Sequence, residues 1–351
     1  MTTIKCEMKY YPFSGHLSQL YAGFEILKEK GIISLVYSDK YQIQSASQVP
    51  LLLVRVNDRY DFCYDVSDGT DWIIGGTKDE NIRFLKENIK VDFYFKRSFN
   101  ELFSNRFSES TKVFPLGLNY QIQPTKQKGI KAVIKSKIDM PFFHKYLKFN
   151  NNSFTSEVFE HLPMINPNGK ILFLLRLWDP NESLVETSKI KEERLQINEQ
   201  RINCIKVCKK EFKDKFIGGV TTNDFSIKNC DKDLLLPRLL TSRKSFLDLI
   251  KKSNICIATT GLHKSIGWKF GEYVAASRAI VSEPLNYRIP GAFTPNKNYL
   301  EFNNGQELIE RISFLLDNKQ VLQEMMWNNY DYYQKYLRPD IMILHTLLKV
   351  L

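Results

Sequence analysis

The residues with the densest chemistry lie between Asn254 and Leu285, in NICIATTGLHKSIGWKFGEYVAASRAIVSEPL. An apolar run ends at Thr259, the small polar loop Thr260-Gly261-Leu262-His263-Lys264 follows, and a helical pattern then takes over. In open α/β sheets ligands sit beyond the carboxyl ends of strands. A helix N-terminus at that place offers free N–H groups and a positive dipole end to a phosphate. Lys264 and Lys269 add cationic donors near it. Glu272 stands three residues after Lys269, on about the same helix face and one turn deeper, where a carboxylate could accept both hydroxyls of a ribose. Cations and amides suit a phosphate, and the acid suits a ribose.

Other residues with chemical capacity are spread along the chain. Arg176 follows directly on the apolar run KILFLL, and Arg201 lies in the middle of the next helical segment. Guanidinium groups bind phosphate oxygens bidentately and stay charged. Arg201 is equally placed to pair with Glu193 or Glu199 on the helix surface. Near the start, Phe13-Ser14-Gly15-His16 precedes a helical pattern. An imidazole there could act as a general base, since it titrates near neutrality; it could also cap the helix or meet a ligand from across a cleft. Asp65 and Asp68, in YDVSDGTD, end a strand and begin a loop. They could orient His16, serve as the base themselves, or form turns. Their spacing does not make a metal site. Lys96 and Arg97 in FKRSF, and the segment PLGLNY at Pro115–Tyr120, follow strands.

The elements that must position these residues read as an alternation. Leu17, Leu20, Tyr21, Phe24 and Leu27 recur at helical spacing, and Gly31 closes that helix. Strands are expected at 32–37, 51–56, 60–66, 91–95 and 113–118, with a helix at 78–89. The pattern blurs between about 121 and 168, and MINPNGK at 164–170 reads as a linker. The alternation then restarts: a strand at 170–175, a long helix at about 190–212, a short strand at 215–218, a helix at 243–253, a strand at 254–259, a helix at about 265–277, a strand at 279–282 and a helix at 304–317. Such alternation implies parallel sheets covered by helices. The fold expected is α/β, with two Rossmann-like domains at 1–165 and 166–327 and a C-terminal helix at 328–351.

Composition bounds the rest. With 351 residues the chain exceeds the size of one ordinary core. No apolar stretch reaches the roughly 18 residues of a membrane-spanning helix, and the start lacks the pattern of a secretory signal. The six cysteines show no metal-ligand spacing and read as buried thiols in a reducing cytoplasm. The net charge of +11 favours an anionic partner, whether phospholipid, nucleic acid or a phosphorylated ligand. The absence of Gly-x-Gly-x-x-Gly argues against an ordinary dinucleotide dehydrogenase.

The segment from Gly261 to Val281, with Glu272-Tyr273-Val274-Ala275 followed by small residues and an apolar strand, resembles the C-terminal signature of GT-B glycosyltransferases. The downstream NYLEFNNGQELIERISFLLDN is similar to that family's next strand and acidic helix. The resemblance implies a cleft between two domains, a glutamate on the nucleotide ribose, and a loop facing the diphosphate and sugar. It implies donor-binding roles for Arg176, Arg201, Gly261, His263, Lys264, Lys269 and Glu272, and a terminal helix that crosses back to the N-terminal domain. Arg176, Arg201 and Lys269 are placed much as basic residues are in phage DNA β-glucosyltransferases. The Gly15-His16 start resembles that of UDP-glycosyltransferases, where the histidine is the base. Many retaining members carry a second glutamate eight positions before the first; Lys264 stands there, which tilts the expectation to inversion. The function expected is transfer of a sugar from a nucleoside-diphosphate donor, a UDP-sugar foremost, to a hydroxyl of a glycan, a lipid-linked intermediate or a small molecule. No metal or other cofactor is expected. Localisation is expected to be cytoplasmic, with peripheral membrane association open. A DNA-base glucosyltransferase, a nucleotide-sugar 2-epimerase and a non-catalytic anionic-surface binder stay open as alternatives.

Overall fold

Two β-sheets organise the chain, the first formed by strands before residue 116 and the second by strands from Lys170 onward. The computed structural model describes residues 3–11, 15–40, 51–70, 72–73, 76–101, 105, 107, 110–122, 154–182 and 188–350. His144, Phe13 and Ser14 lie outside the described residues, as does most of the stretch where the sequence pattern blurs.

The first sheet holds β1 (Ile4–Met8), β2 (Ile33–Tyr37), β3 (Leu52–Val56), β4 (Tyr60–Asp65), β5 (Phe93–Lys96) and β6 (Lys112–Pro115), in the order β2-β1-β3-β4-β5-β6. Helices α1 (Ser18–Glu29) and α2 (Lys78–Asn88) connect its strands. Here a parallel sheet is corrected in one respect: β3 runs antiparallel to both β1 and β4. Parallel neighbours need a crossover of about a dozen residues, and only Asn57, Asp58 and Arg59 separate β3 from β4. Asn57 and Asp58 both take left-handed conformations, with φ of 53° and 55°, as in a tight hairpin turn.

The second sheet is parallel throughout. Its strands are β7 (Lys170–Leu175), β8 (Phe216–Val220), β9 (Ser253–Ala258), β10 (Ala279–Ser282) and β11 (Leu300–Glu301), in the order β11-β10-β9-β7-β8. The short helix α3 (Ser156–Phe159) precedes it. Between its strands run α4 (Ser188–Phe212), α5 (Asp224–Asn229), α6 (Arg243–Lys252) and α7 (Trp268–Ala275). The strands of this half are near-continuous apolar runs because both faces are covered. Cys204 and Cys208 lie four apart on the buried face of α4 and join its core.

The chain ends in α8 (Gly305–Asp317), α9 (Lys319–Tyr332), a π-helical turn at Tyr333–Leu337 and α10 (Pro339–Leu347). Helix α10 leaves the second half and packs on α1. Met342, Ile343 and Leu347 enter the same apolar cluster as Leu20, Phe24 and Leu27. The hydroxyls of Tyr64 and Thr346 meet at 2.6 Å, Gln19 Nε2 donates to the Leu337 carbonyl at 3.0 Å, and Lys30 pairs with Asp340 at 2.5 Å. Two Rossmann-like α/β halves with the terminal helix returned to the first form the GT-B arrangement that the resemblance implies. Among the described residues no helix is long and apolar enough to cross a membrane.

Candidate functional site

The loop after β9 is held from below and from the side. Glu283, just past β10, accepts from Thr260 N–H at 2.6 Å and from its hydroxyl at 2.9 Å. Gly261 N–H donates to Ser265 O at 2.9 Å. His263 and Lys264 both sit in the left-handed region, with φ of 57° and 55°, a conformation that non-glycine residues take only where the surroundings over-determine it. Here Glu193 of α4 takes the His263 N–H at 2.7 Å and Tyr287 donates to the His263 carbonyl at 2.6 Å. The loop is therefore a fixed platform, and the exposed Lys264 projects from it.

Glu272 lies one turn into α7 and is 1% exposed. Its Oε1 accepts from Arg243 Nη2 at 2.6 Å, while Oε2 is buried with no hydrogen-bond partner. A buried acceptor left unmade costs about 1–3 kcal/mol, more when it is charged, so this atom is a place where a ligand hydroxyl would stabilise the complex. Lys269 is close by, but its ammonium donates to the Leu174 carbonyl and lies 5.1 Å from the centre of the Phe246 ring. Burial pulls its pKa down to about 8, against the opposing field of Glu272.

The two arginines differ. Arg201 donates from Nε to Thr259 Oγ1 at 3.1 Å, from Nη1 to the Arg176 carbonyl at 2.8 Å and from Nη2 to the Thr260 carbonyl at 3.4 Å. It ties the loop after β7 to the loop after β9. Burial lowers its pKa to about 10, with Glu283 opposing. Arg201 does not pair with Glu193, whose carboxylate holds the loop instead. Arg176 is exposed and bonds Glu182 Oε1 at 2.9 Å. That pair is 56% and 46% exposed, so it contributes little and a ligand phosphate could displace it. Arg176, Asp179, Thr221, Asn223 and Asp224 line an open cavity of about 470 Å³ beyond the ends of β7 and β8.

The first half faces this platform closely. The His16 ring lies 4.8 Å from that of Trp268, edge to face, at the start of α7. Its Nδ1 is buried without a partner. Burial and the Arg97 charge lower its pKa, and Asp68 acts in the opposite direction. Arg97 spans the halves: it meets Asp68 Oδ1 at 2.6 Å and donates to the Ile266 carbonyl at 2.7 Å. Its contact with Asp68 Oδ1 is a close ion pair rather than an aligned hydrogen bond, since that atom has no partner that meets hydrogen-bond geometry. A Cβ on Gly69 would stand 2.9 Å from His263 Cβ, and one on Gly271 would stand 2.6 Å from the Asn119 carbonyl oxygen. Glycine at 271 thus lets α7 approach the segment 118–122, beside Glu272.

Asp65 is fully buried. Its oxygens take Trp72 Nε1 at 2.7 Å, Tyr94 Oη at 2.5 Å and Ser67 N–H at 2.9 Å, and it pairs with the equally buried Lys96 at 3.1 Å. Burial pushes its pKa up, but Lys96, Ser67 and Tyr94 outweigh this and hold it below the usual carboxylate range. Asp65 is a structural node behind the loop that carries Asp68.

Sequence reasoning missed Arg243, and gave Arg97 and the segment of Asn119 no partner. The partners of Arg243 lie 29 and 122 residues away, and no local pattern marks such pairs. A signal did exist for Arg97: a strand-end cation in a mainly apolar stretch asks for a carboxylate.

No family model matches the chain, and no curated protein matches it. Among solved structures, HepE from Anabaena in complex with UDP and glucose is similar over 98% of this chain and 98% of its own, at 12% identity and a TM-score of 0.47. Sucrose-phosphate synthase from Thermosynechococcus elongatus is similar over 78% of this chain and 61% of its own, at 10% identity and a TM-score of 0.43. UDP-GlcNAc 2-epimerase from Neisseria meningitidis, bound to UDP-GlcNAc, is similar over 74% of this chain and 62% of its own, at 16% identity and a TM-score of 0.39.

Proposed function

We propose that the chain is a glycosyltransferase that moves a sugar from a nucleoside-diphosphate donor, a UDP-sugar foremost, to a hydroxyl acceptor held by the first half. The observation that carries this reading is Glu272: a buried carboxylate past the carboxyl end of β9, one oxygen held by Arg243 and the other buried without a hydrogen-bond partner. A ribose diol supplies the donors that such an oxygen lacks. Arg176, after β7, and Lys264, in the loop after β9, serve the diphosphate. Arg201 and Lys269 shape the site from beneath, because their hydrogen bonds go to backbone and loop atoms.

In this reading the reaction inverts the anomeric centre. The acceptor oxygen attacks the anomeric carbon as its proton passes to His16, and the bond to the diphosphate oxygen breaks with its electron pair on the departing nucleotide. His16 suits the task because burial and Arg97 keep it neutral, the form that can take a proton. With Asp65 buried at the end of β4, Asp68 is the remaining carboxylate near it. The acceptor is a glycan, a lipid-linked sugar or a small metabolite.

The test is calorimetry with UDP. Glu272→Ala should weaken binding by about 1.5–3 kcal/mol, the range for hydrogen bonds to charged groups, while the thermal midpoint of the unliganded protein stays close to that of the wild type. Unchanged affinity would remove Glu272 from the site and with it the reading.

A further inference from the structure

Glu272 has one oxygen engaged and the other buried without a partner, and the engaged oxygen is held by an arginine that also touches the first half. Arg243 is the first residue of α6, and its side chain is 31% exposed. Its Nη2 donates to Glu272 Oε1 at 2.6 Å and to the carbonyl of Gln121, in the first half, at 3.3 Å. The guanidinium carbon lies 5.1 Å from the centre of the Phe159 ring and 5.8 Å from that of Phe246. Phe159 is itself held edge to face by Tyr120 at 5.1 Å, and Tyr120 follows the Asn119 carbonyl on which Gly271 packs. The arginine is thus seated between a ring on α3, a ring on α6 and a carbonyl of the first half before it reaches the glutamate. Lys269, the nearer cation on α7, donates to Leu174 instead.

We propose that Arg243 is a positioning residue for the diol of the donor ribose: it occupies Oε1 of Glu272 and so fixes Oε2 as the acceptor for the ligand. This rests on the nucleotide-binding role given to Glu272 above. The arrangement needs a planar group that can lie over a ring and hydrogen-bond with its edge at once, which a guanidinium does and an ammonium does not. Because Gln121 and Phe159 come from outside the second half, the orientation of Glu272 also depends on how the two halves meet. Donor recognition is then a property of the docked pair and not of the second half alone.

The experiment compares UDP with its 2′,3′-dideoxy analogue, by calorimetry, on the full chain. Wild type should prefer the diol about tenfold or more, the smaller end of what a hydrogen bond to a charged group supplies. Arg243→Gln should bring that preference close to unity while binding of the dideoxy analogue changes less than about twofold. Arg243→Lys keeps the charge and should still lose most of the preference, and it serves where Arg243→Gln fails to fold. A wild-type preference surviving in both variants would overturn the proposal, and so would equal loss for both ligands, which is what a merely structural arginine gives. A wild type without any diol preference, unchanged by Glu272→Ala, would overturn the role of Glu272 itself, a different failure from that of Arg243.

Discussion

At the scale of single residues, environment separates groups that the sequence treats alike. Asp65 and Asp68 are three apart in one loop signature. One faces inward onto Lys96, Trp72 and Tyr94, and the other outward onto Arg97 at the junction of the halves. A buried ion pair of the first kind is strongly destabilising to break, which makes Asp65 part of the frame. His16 is the group whose chemistry depends most on its surroundings. Its lowered pKa keeps it neutral to a pH below the usual histidine range near 6.5. For a base, activity is lost as pH falls through its pKa, so the acidic limb of kcat/KM should lie below that value. His16→Ala should cut kcat by about 10²–10⁴-fold and remove that limb, with UDP affinity within about twofold of wild type. Rate profiles from pH 4.5 to 8 decide this. A variant of full activity would pass the role to Asp68, and an acidic limb at or above 6.5 would show that burial does not lower the pKa of the base.

At the scale of elements, spacing and contact decide different things. Gly23 sits inside α1 at its crossing with α10. In a helix interior, exchanging glycine for alanine ordinarily stabilises by roughly 1 kcal/mol. At this position a Cβ would meet the Pro339 carbonyl and come within 2.6 Å of Ile343 Cγ1. Overpacking of that kind costs about 1–3 kcal/mol, so Gly23→Ala should lower the stability measured by urea unfolding, and a more stable variant would show that the crossing is loose. This close approach was not legible in the sequence, where Gly23 is simply a glycine in a helical pattern. What was legible follows from periodicity: the helix from Leu17 with its closing Gly31, the buried strand before the loop of Thr260, and the order of strands and helices in the second half. Glu272 could be placed because its helix and the preceding strand fix it relative to the sheet end. The antiparallel hairpin of β3 and β4 was missed although its Asn-Asp turn was visible, because the alternation around it suggested parallel pairing. Arg243 and the seat of Asp65 depend on which chain segments meet in three dimensions, and no short window of sequence contains that.

At the scale of the whole molecule, the two halves are unequal in what completes them. The second sheet has a cluster that needs nothing from the first, formed by Ile171, Phe173, Cys204, Ile255, Ile257, Ile312 and Leu315 among others. The first half is packed against the far end of the chain: Met342, Ile343 and Leu347 are each 5% exposed or less and lie in the cluster that joins α1 and the first sheet to one face of the second, and Tyr64 gains the Thr346 hydroxyl. Large core side chains are worth about 2–5 kcal/mol each. Three of them together approach the whole stability of an ordinary domain, about 5–15 kcal/mol. Removing residues 338–351 should therefore unfold the first half selectively. Limited proteolysis, read by mass spectrometry, should cut between residues 4 and 115 at times when full-length protein is intact, while fragments spanning 170–325 persist longer. Because Gln121 and Phe159 would no longer brace Arg243 in a folded first half, the truncated protein should also lose UDP affinity, although Glu272, Arg176 and the loop at 261–264 all remain. Protection of residues 4–115 equal to that of the intact chain would show that α10 covers the first half without supporting it. Undiminished UDP affinity in a chain whose first half is cleaved would show that the second half recognises the nucleotide alone.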